Sequence, residues 1–147
     1  MATGDTGYYL DRWRDLRHLL NGEWIIHVLV TLSAGPLHYK QLYEAIQESS
    51  TFDPWSGSIR RISGRALGRT LRRLEAGGLV VRTEERVFPR SVVYSITPAA
   101  VDLLAKARAV MDWAEEHPQL FEQLRKAQAD NERDQRAWSE ELDEEDE

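Results

Sequence analysis

The sequence predicts a mainly α-helical chain with one small β-hairpin, an α+β fold class, and two observations lead to this prediction. Apolar residues recur at helical spacing in most segments, as in the stripe of Leu67, Leu71 and Leu74. Two β-branched stretches, "LVVR" and "SVVYSI", are bounded by turn residues and would pair as a hairpin. None of the 147 residues is cysteine, so disulfides and thiolate metal sites are excluded.

Three helices are predicted in succession in the N-terminal third. The apolar residues of the first helix recur at helical spacing at Tyr9, Trp13, Leu16 and Leu20. The dipeptide "NG" at 21–22 ends this helix. The second helix, "EWIIHVLVTLSAG", is apolar on nearly every side, so we expect it to be buried and to stop near Gly35-Pro36. The third helix, "LHYKQLYEAI", is followed by a serine-rich loop over residues 47–61.

The rest of the chain predicts a helix, the hairpin and two further helices. Ser63 is a suitable N-cap for a helix over residues 63–76, and Gly77-Gly78 supplies its stop. The hairpin has a charged tip, "TEERVFPR". Thr97-Pro98 then begins a helix, and a last helix runs from Gln119 to about Ala137. Residues 138–147 have too little to bury and are predicted to be disordered.

This order of elements is that of a winged helix-turn-helix, in which the third core helix enters the major groove of DNA. The predicted boundaries are an N-terminal helix at 1–21, the winged helix-turn-helix at 22–97, C-terminal helices at 98–137 and an acidic tail at 138–147. The hairpin, or wing, would reach the flanking backbone or the minor groove.

The charge of the chain is unevenly distributed. The formal net charge is −6, yet residues 60–90 hold nine arginines against three glutamates, a local charge of +6. Residues 115–147 carry a net charge of −9. A local basic patch is the usual electrostatic footprint of a nucleic-acid site, whatever the sign of the whole protein. Arginines kept only for solubility would be interleaved with glutamates, and the 63–76 helix holds only Glu75.

The helix over residues 63–76 has the features of a DNA reader. Arg65, Arg69 and Arg72 are spaced i, i+4, i+7 on a face away from the leucine stripe. Gly64 and Gly68 each cost about 1 kcal/mol relative to alanine in a helix, and close approach to a sugar-phosphate backbone would explain them. Arginine reads guanine through two hydrogen bonds, so Arg65 and Arg69 are the base-edge candidates. Contacts to phosphates, or none, are expected for Arg72, Arg73, Arg60 and Arg61.

Three motifs resemble the HxlR family of bacterial winged-helix transcriptional regulators, from about Leu20 to Trp113. They are "GEWIIHVLVTLSAGPLHYKQLYEAI", "ISGRALGRTLRRLEAGGLVVR" and "FPRSVVYSIT". The resemblance implies a regulator that binds double-stranded DNA at a two-fold symmetric operator, and we expect it to act as a repressor. The recognition-helix contacts that it implies are Ser63, Gly64, Arg65, Gly68 and Arg69, and the arginine spacing adds Arg72 as a candidate. The resemblance also implies a wing contact at Arg90 and backbone support from Lys40 and Gln41. The basic stretch itself adds Arg86, Arg60 and Arg61 as wing and flanking candidates.

The same resemblance implies a homodimer built from the N-terminal and C-terminal helices. The predicted dimerisation residues are Tyr9, Trp13, Leu16, Leu103, Leu104, Ala107, Val110 and Met111. Three departures from the family limit what the resemblance carries. The 47–61 loop is longer than the usual turn, and the cysteine that some members use for sensing is missing. Gly64 and Gly68 replace bulkier residues, so the operator sequence does not transfer.

Several alternatives stay open. The 47–61 loop is a tolerated insertion, an extension of the DNA footprint through Arg60 and Arg61, or a cover for a pocket through Phe52 and Trp55. Tyr8 and Trp113 are candidates to line an aromatic pocket for a small-molecule effector, whereas Trp13 and Trp24 are expected in the core. The acidic tail keeps the protein soluble or folds back over the basic helix. The main rival function is a protein-interaction module whose basic face binds an acidic protein.

Other classes of function are excluded by what the sequence lacks. The four histidines are His18, His27, His38 and His117, and no two of them are spaced i,i+4. We therefore expect no metal site and no cofactor. No catalytic constellation occurs, which predicts that the protein is not an enzyme. The longest apolar run, Trp24–Leu32, is shorter than the ~20 residues that a bilayer requires. The N-terminus has no signal pattern, so the predicted location is the cytoplasm.

Overall fold

The structure, a computed structural model, describes residues 3–145 and the side chains of residues 5–140. The helices are α1 (Thr3–Leu20), α2 (Ile25–Ser33), α3 (Tyr39–Glu48), α4 (Gly64–Ala76), α5 (Pro98–Glu116) and α6 (Pro118–Glu145). The strands are β1 (Leu37–His38), β2 (Phe52–Asp53), β3 (Ser58–Ile59), β4 (Val80–Glu84) and β5 (Val92–Ile96). They form two compact units: the first includes the chain through Thr51 and Arg60–Leu104, and the second Phe52–Ile59 and the chain from Ala105.

The core of the first unit is built around α2. This helix packs against α3, α4 and β5, and this is why it is apolar on nearly every side. Val28 and Leu29 are fully buried in it, and Trp24, just before the helix, is also buried, as predicted. The leucine stripe of α4 closes the core from the other side, with Leu67, Leu71 and Leu74 all at most 2 % exposed.

A three-stranded antiparallel sheet with strand order β1-β5-β4 completes the first unit. The hairpin of β4 and β5 was predicted from the sequence, and its register pairs Val80 with Ile96 and Arg82 with Tyr94. The two-residue strand β1 pairs with β5 through Leu37 and Tyr94. This strand connects the segment before α3 to the wing, and α4 packs against β4 of the same sheet.

In the second unit, residues predicted as loop and as disordered tail are ordered. Within 47–61, β2 and β3 form a small antiparallel hairpin, and the guanidinium of Arg125 lies over the ring of Trp55 at 5.6 Å. The last helix continues through Glu145, past the predicted end near Ala137. Residues 119–145 contain no glycine or proline and many strong helix formers, so the helix needs no buried face to form. Residues 146–147 of the predicted tail lie outside the described residues.

The fold class of the prediction is confirmed: helices predominate, and one small antiparallel sheet supplies a wing. One core assignment is wrong. Trp13 was expected in the core and is 56 % exposed, because no other element of the first unit packs along α1. Of the described side chains of α1, only Leu19 is partly buried, and it contacts the core.

Candidate nucleic-acid interface

The candidate interface is built on α4, whose start and buried side are fixed by local chemistry. The hydroxyl of Ser63 accepts a hydrogen bond from the backbone N–H of Ala66 at 3.1 Å, which confirms the predicted N-cap. The leucine stripe then holds one side of the helix in the core. The opposite side is left to solvent, and its first-turn amides and partial positive charge favour an anion.

Three exposed arginines follow one another along the solvent side of α4: Arg65, Arg69 and Arg72, called here the arginine face. Among the described residues, none forms an ion pair with these three side chains. Arg65 and Arg72 line a groove of about 520 Å³ between α4 and the sheet, together with Arg82. On the other side of α4, Arg69 lines a second groove with Arg61. The helix therefore presents cationic side chains on both flanks.

The two glycines of α4 have no packing role within the chain. A Cβ atom at Gly64 would lie 3.5 Å from the hydroxyl of Tyr39, and one at Gly68 would lie 3.6 Å from Nη1 of Arg72. Both distances are ordinary van der Waals contacts, and neither glycine has a positive φ. Alanine would therefore fit at both positions and would favour the helix. The chain's own fold does not account for the glycines, and both line the groove with Arg65.

Two of the arginines near α4 already have partners in the chain. Arg60 forms a bidentate ion pair with Glu23, with both N–O distances at 2.8 Å. Arg73 donates hydrogen bonds to the backbone oxygens of His18 and Asn21 at the end of α1. Both side chains therefore have partners within the chain, although Arg60 still lines the groove of Arg61 and Arg69. Arg60 and Arg61 were both predicted as flanking phosphate contacts. Because Arg60 pairs with Glu23, the exposed Arg61 is the stronger candidate of the two.

The helix before the turn, α3, contributes polar groups at its N-terminal end. The side-chain oxygen of Gln41 accepts a hydrogen bond from the backbone N–H of His38 at 3.0 Å, so this part of Gln41 caps α3. Lys40 is 86 % exposed and lies 3.9 Å from the carboxylate of its neighbour Glu44. The hydroxyl of Tyr39 donates to the backbone oxygen of Gly64 at 3.0 Å. Tyr39 thereby joins α3 to the first residue of α4.

The wing adds cations beyond α4. Arg86 and Arg90 are exposed at its tip, between β4 and β5, as predicted. At its base, Arg82 lies 2.9 Å from the carboxylate of Glu84. Hydrogen bonds to Glu84 and to Tyr94 raise the pKa of Arg82 above its ordinary value. Arg82 of the wing base therefore borders the same groove as Arg65 and Arg72 of the arginine face.

The predicted dimerisation residues divide into two groups. Tyr9, Trp13 and Leu16 on α1 are exposed, as are Val110 and Met111 on α5, and Ala107 is half-buried. Leu103 and Leu104 differ, because they pack against the core of their own chain. An exposed row of aromatic and aliphatic side chains on one helix is typical of a surface that a partner covers.

The two residues predicted to line an aromatic ligand pocket belong to different units of the fold. Tyr8 is 64 % exposed on α1, and the guanidinium of Arg12 lies over its ring. In the second unit, Trp113 stacks on His117 with ring centroids 4.8 Å apart and meets Phe121 edge-on. The pocket stays a prediction.

Within the described ranges, no group of three His, Cys, Asp or Glu side chains is arranged to hold a metal ion. Of the helices between residues 3 and 145, none is both long enough and apolar enough to span a bilayer.

Two residues of the interface were not singled out from the sequence. Arg82 was counted only as charge, and its place in the groove follows from its register opposite Tyr94. Tyr39 lies at the start of α3, where the sequence shows only an aromatic residue within "LHYKQLYEAI". Its hydrogen bond to Gly64 spans 25 residues, and no local pattern signals such a contact.

Comparison with known proteins identifies the family of the chain. The sequence matches the HxlR-like helix-turn-helix family over residues 19–122. Among solved structures, a protein described as a transcriptional regulator of the MarR family from Enterococcus faecalis V583 is 24% identical, with a TM-score of 0.61 over 75% of this chain and 88% of that one. No curated protein matches the sequence closely enough to count as a relative.

Two further solved structures are similar. The reduced form of the transcriptional regulator YodB from B. subtilis is 24% identical, with a TM-score of 0.59 over 72% of this chain and 91% of that one. The regulator ytfH from Salmonella typhimurium is 26% identical, with a TM-score of 0.53 over 75% and 88% of the two chains. Together these structures support the winged helix-turn-helix architecture.

Proposed function

We propose that this chain is a repressor that binds a two-fold symmetric operator as a homodimer. The chain belongs to the HxlR-like helix-turn-helix family, which makes it a DNA-binding transcriptional regulator and not an enzyme. The observation that carries this proposal is the arginine face. Three exposed arginines that pair with no carboxylate among the described side chains lie on the solvent side of the third core helix, in a chain whose net charge is −6.

In this proposal α4 lies in the major groove with its N-terminal end toward the base pairs. Arg65 and Arg69 are nearest that end and donate to guanine edges, each contact giving about 1–3 kcal/mol of discrimination. Arg72 and Arg61 bind phosphates on either side of the helix. Phosphate contacts supply affinity and register, and base contacts supply sequence preference.

The glycines and the wing complete the footprint. Gly64 and Gly68 add no side chain to the groove wall, so the DNA backbone approaches α4 closely at these two positions. Lys40 and Gln41 at the start of α3 support phosphate contacts, and Gln41 still has its amide N–H groups for them. Arg86 and Arg90 at the wing tip reach the flanking backbone or minor groove.

The exposed side of α1 supports the homodimer. Tyr9, Trp13 and Leu16 are large side chains that the chain itself leaves in water, and a second copy of α1 together with α5 and α6 would cover them. Two-fold symmetry then places the two recognition helices on half-sites about one helical turn apart, roughly 34–36 Å between centres. A bound dimer would occlude a promoter in the bacterial cytoplasm, associated with the nucleoid.

Selection of bound fragments from random duplex DNA, followed by footprinting of the selected duplex, tests the proposal. We expect one preferred sequence, protected in two segments related by a dyad. Light scattering of the protein alone should give the mass of two chains. If the basic face instead serves an acidic protein, selection yields no preferred duplex, and that result contradicts the proposal. A single protected segment without a dyad contradicts the symmetric operator.

A further inference from the structure

Arg73 differs from the other arginines of α4 because it binds protein backbone. Its two terminal nitrogens donate separately, Nη1 to the backbone oxygen of Asn21 and Nη2 to that of His18. These acceptors lie more than 50 residues away, at the C-terminal end of α1 and just beyond it. One side chain of the recognition helix is therefore attached to the helix that carries the exposed aromatic row.

The chemistry of this contact suits arginine. The last carbonyls of a helix lack intrahelical donors and carry partial negative charge, so a cation near them is favourable. A guanidinium is a flat fork whose separate N–H groups reach two acceptors in a fixed geometry. Lysine keeps the charge on one nitrogen and has no such fork. Arg73 therefore restrains the direction of α1 as well as neutralising its end.

Little else holds α1 against the rest of the first unit. Of its described side chains, only Leu19 is partly buried and contacts the core. A helix of 18 residues is about 27 Å long at 1.5 Å per residue. A small rotation at its C-terminal end therefore moves its N-terminal end by several ångströms. Leu19 alone attaches α1 at one point, about which the helix could rotate. Arg73 attaches it at a second point and thereby restrains the angle between α1 and α4.

We propose that Arg73 is a positioning residue, which fixes the angle between α1 and α4 and thereby sets the separation of the two recognition helices in the dimer. The inference rests on the proposed homodimer through α1. Arg65 and Arg69 then determine which bases are read in each half-site, and Arg73 determines how far apart the half-sites lie. A residue that only stabilised the fold would change the unfolding temperature and leave the preferred spacing unchanged.

The spacing preference of the protein on DNA tests this inference. The duplex that the wild-type protein selects is altered by inserting or removing one to four base pairs at its centre. Each step changes both the distance and the rotation between half-sites, and we expect the wild type to lose about tenfold or more in affinity. Arg73→Gln and Arg73→Lys should both flatten this penalty. Arg133→Gln removes the same charge from α6 and should keep the wild-type penalty.

Distance measurement without DNA gives a second readout that does not depend on the operator. The chain has no cysteine, so a single Glu75→Cys substitution places one spin label on α4 of each protomer. We expect one narrow distance distribution for this labelled protein and a broadened one when Arg73→Gln or Arg73→Lys is added. Circular dichroism identifies a variant that has lost its fold, and the lysine variant retains the charge at this position.

The outcomes separate this inference from the proposed function. Absence of any distance signal in the labelled protein with Arg73 intact would contradict the homodimer, and the inference would fall with it. A dimer in which both Arg73 variants keep the narrow distribution and the spacing penalty would overturn the role of Arg73 alone. It would leave the operator-binding proposal in place.

Discussion

The helices α4 and α6 are both rich in charge, yet they use it in opposite ways. On α4 the arginine face has no anionic partner among the described residues, and the other side of the helix is fully buried in leucine. On α6, Arg133 pairs with Asp130 and Arg136 with Glu132, each within one turn of the helix. No described side chain of α6 is fully buried. Two of the four cations of α6 are paired within their own helix, whereas the three of the arginine face are available to a partner.

The comparison separates two reasons for placing arginine on a surface. An arginine that pairs at i,i+3 or i,i+4 stabilises its own helix by a few tenths of a kcal/mol and keeps it in solution. A row of arginines with no such pairs loses that stabilisation, and mutual repulsion costs more. The row on α4 is accompanied by two glycines that also weaken the helix. Local stability is given up at one place in the chain, and that place is the face proposed to bind DNA.

The buried side of α4 carries the largest expected effect. Leu67→Ala removes a fully buried side chain from the core and should lower the free energy of unfolding by about 3 kcal/mol. The matched change Leu124→Ala on α6, where the side chain is 51 % exposed, should cost well under half as much. Denaturant unfolding of both variants measures the two losses. Equal losses would contradict the contrast between the two helices.

The contrast between α4 and α6 could be read partly from the sequence. The leucine stripe, the Ser63 cap and the hairpin were all predicted, because each depends on neighbours within a few residues. The length of α6 was underestimated, because the prediction weighed burial and neglected the run of strong helix formers. Trp13 was misplaced for the opposite reason. Helical spacing shows that side chains share a face but does not show what covers that face.

Glycine at position 68 gives a prediction in which stability and function change in opposite directions. Gly68→Ala should raise the free energy of unfolding by up to about 1 kcal/mol, because alanine favours a helix and fits beside Arg72. The same methyl group should weaken binding to the selected duplex by obstructing close approach of the backbone. Thermal unfolding and a DNA titration give the two values. A variant that is more stable and binds DNA as well as the wild type would remove the proposed role of this glycine.

The smallest expected effect concerns the flanking arginines, Arg60 and Arg61. The salt dependence of DNA binding shows which of the two contacts phosphate. Arg61→Ala should reduce the slope of log affinity against log salt by about 0.9, the value for one lost phosphate contact. The paired change Glu23→Gln with Arg60→Gln removes an ion pair without changing net charge, and should leave the slope as it is. Titrations at several salt concentrations measure both. A drop of one unit in the paired variant would place Arg60 on DNA.

The candidate site was predictable where it depends on residue type and not where it depends on partners. Arginine spacing on α4 and the cations of the wing tip were read correctly as exposed charge. The contacts of Arg60 with Glu23 and of Arg73 with the end of α1 were missed, since they join residues 37 to 55 positions apart. An arginine count therefore identifies the basic region, and only the fold shows which of its members are uncommitted.

The most direct test of the central claim compares affinity for the selected duplex with affinity for a scrambled duplex at physiological salt. The wild type should prefer the selected duplex by about a thousandfold or more. Arg65→Ala and Arg69→Ala should each lower that ratio by about tenfold, while Arg133→Ala on α6 should not change it. A wild-type ratio near one, or arginine variants that weaken both duplexes equally, would contradict the claim that the arginine face reads sequence.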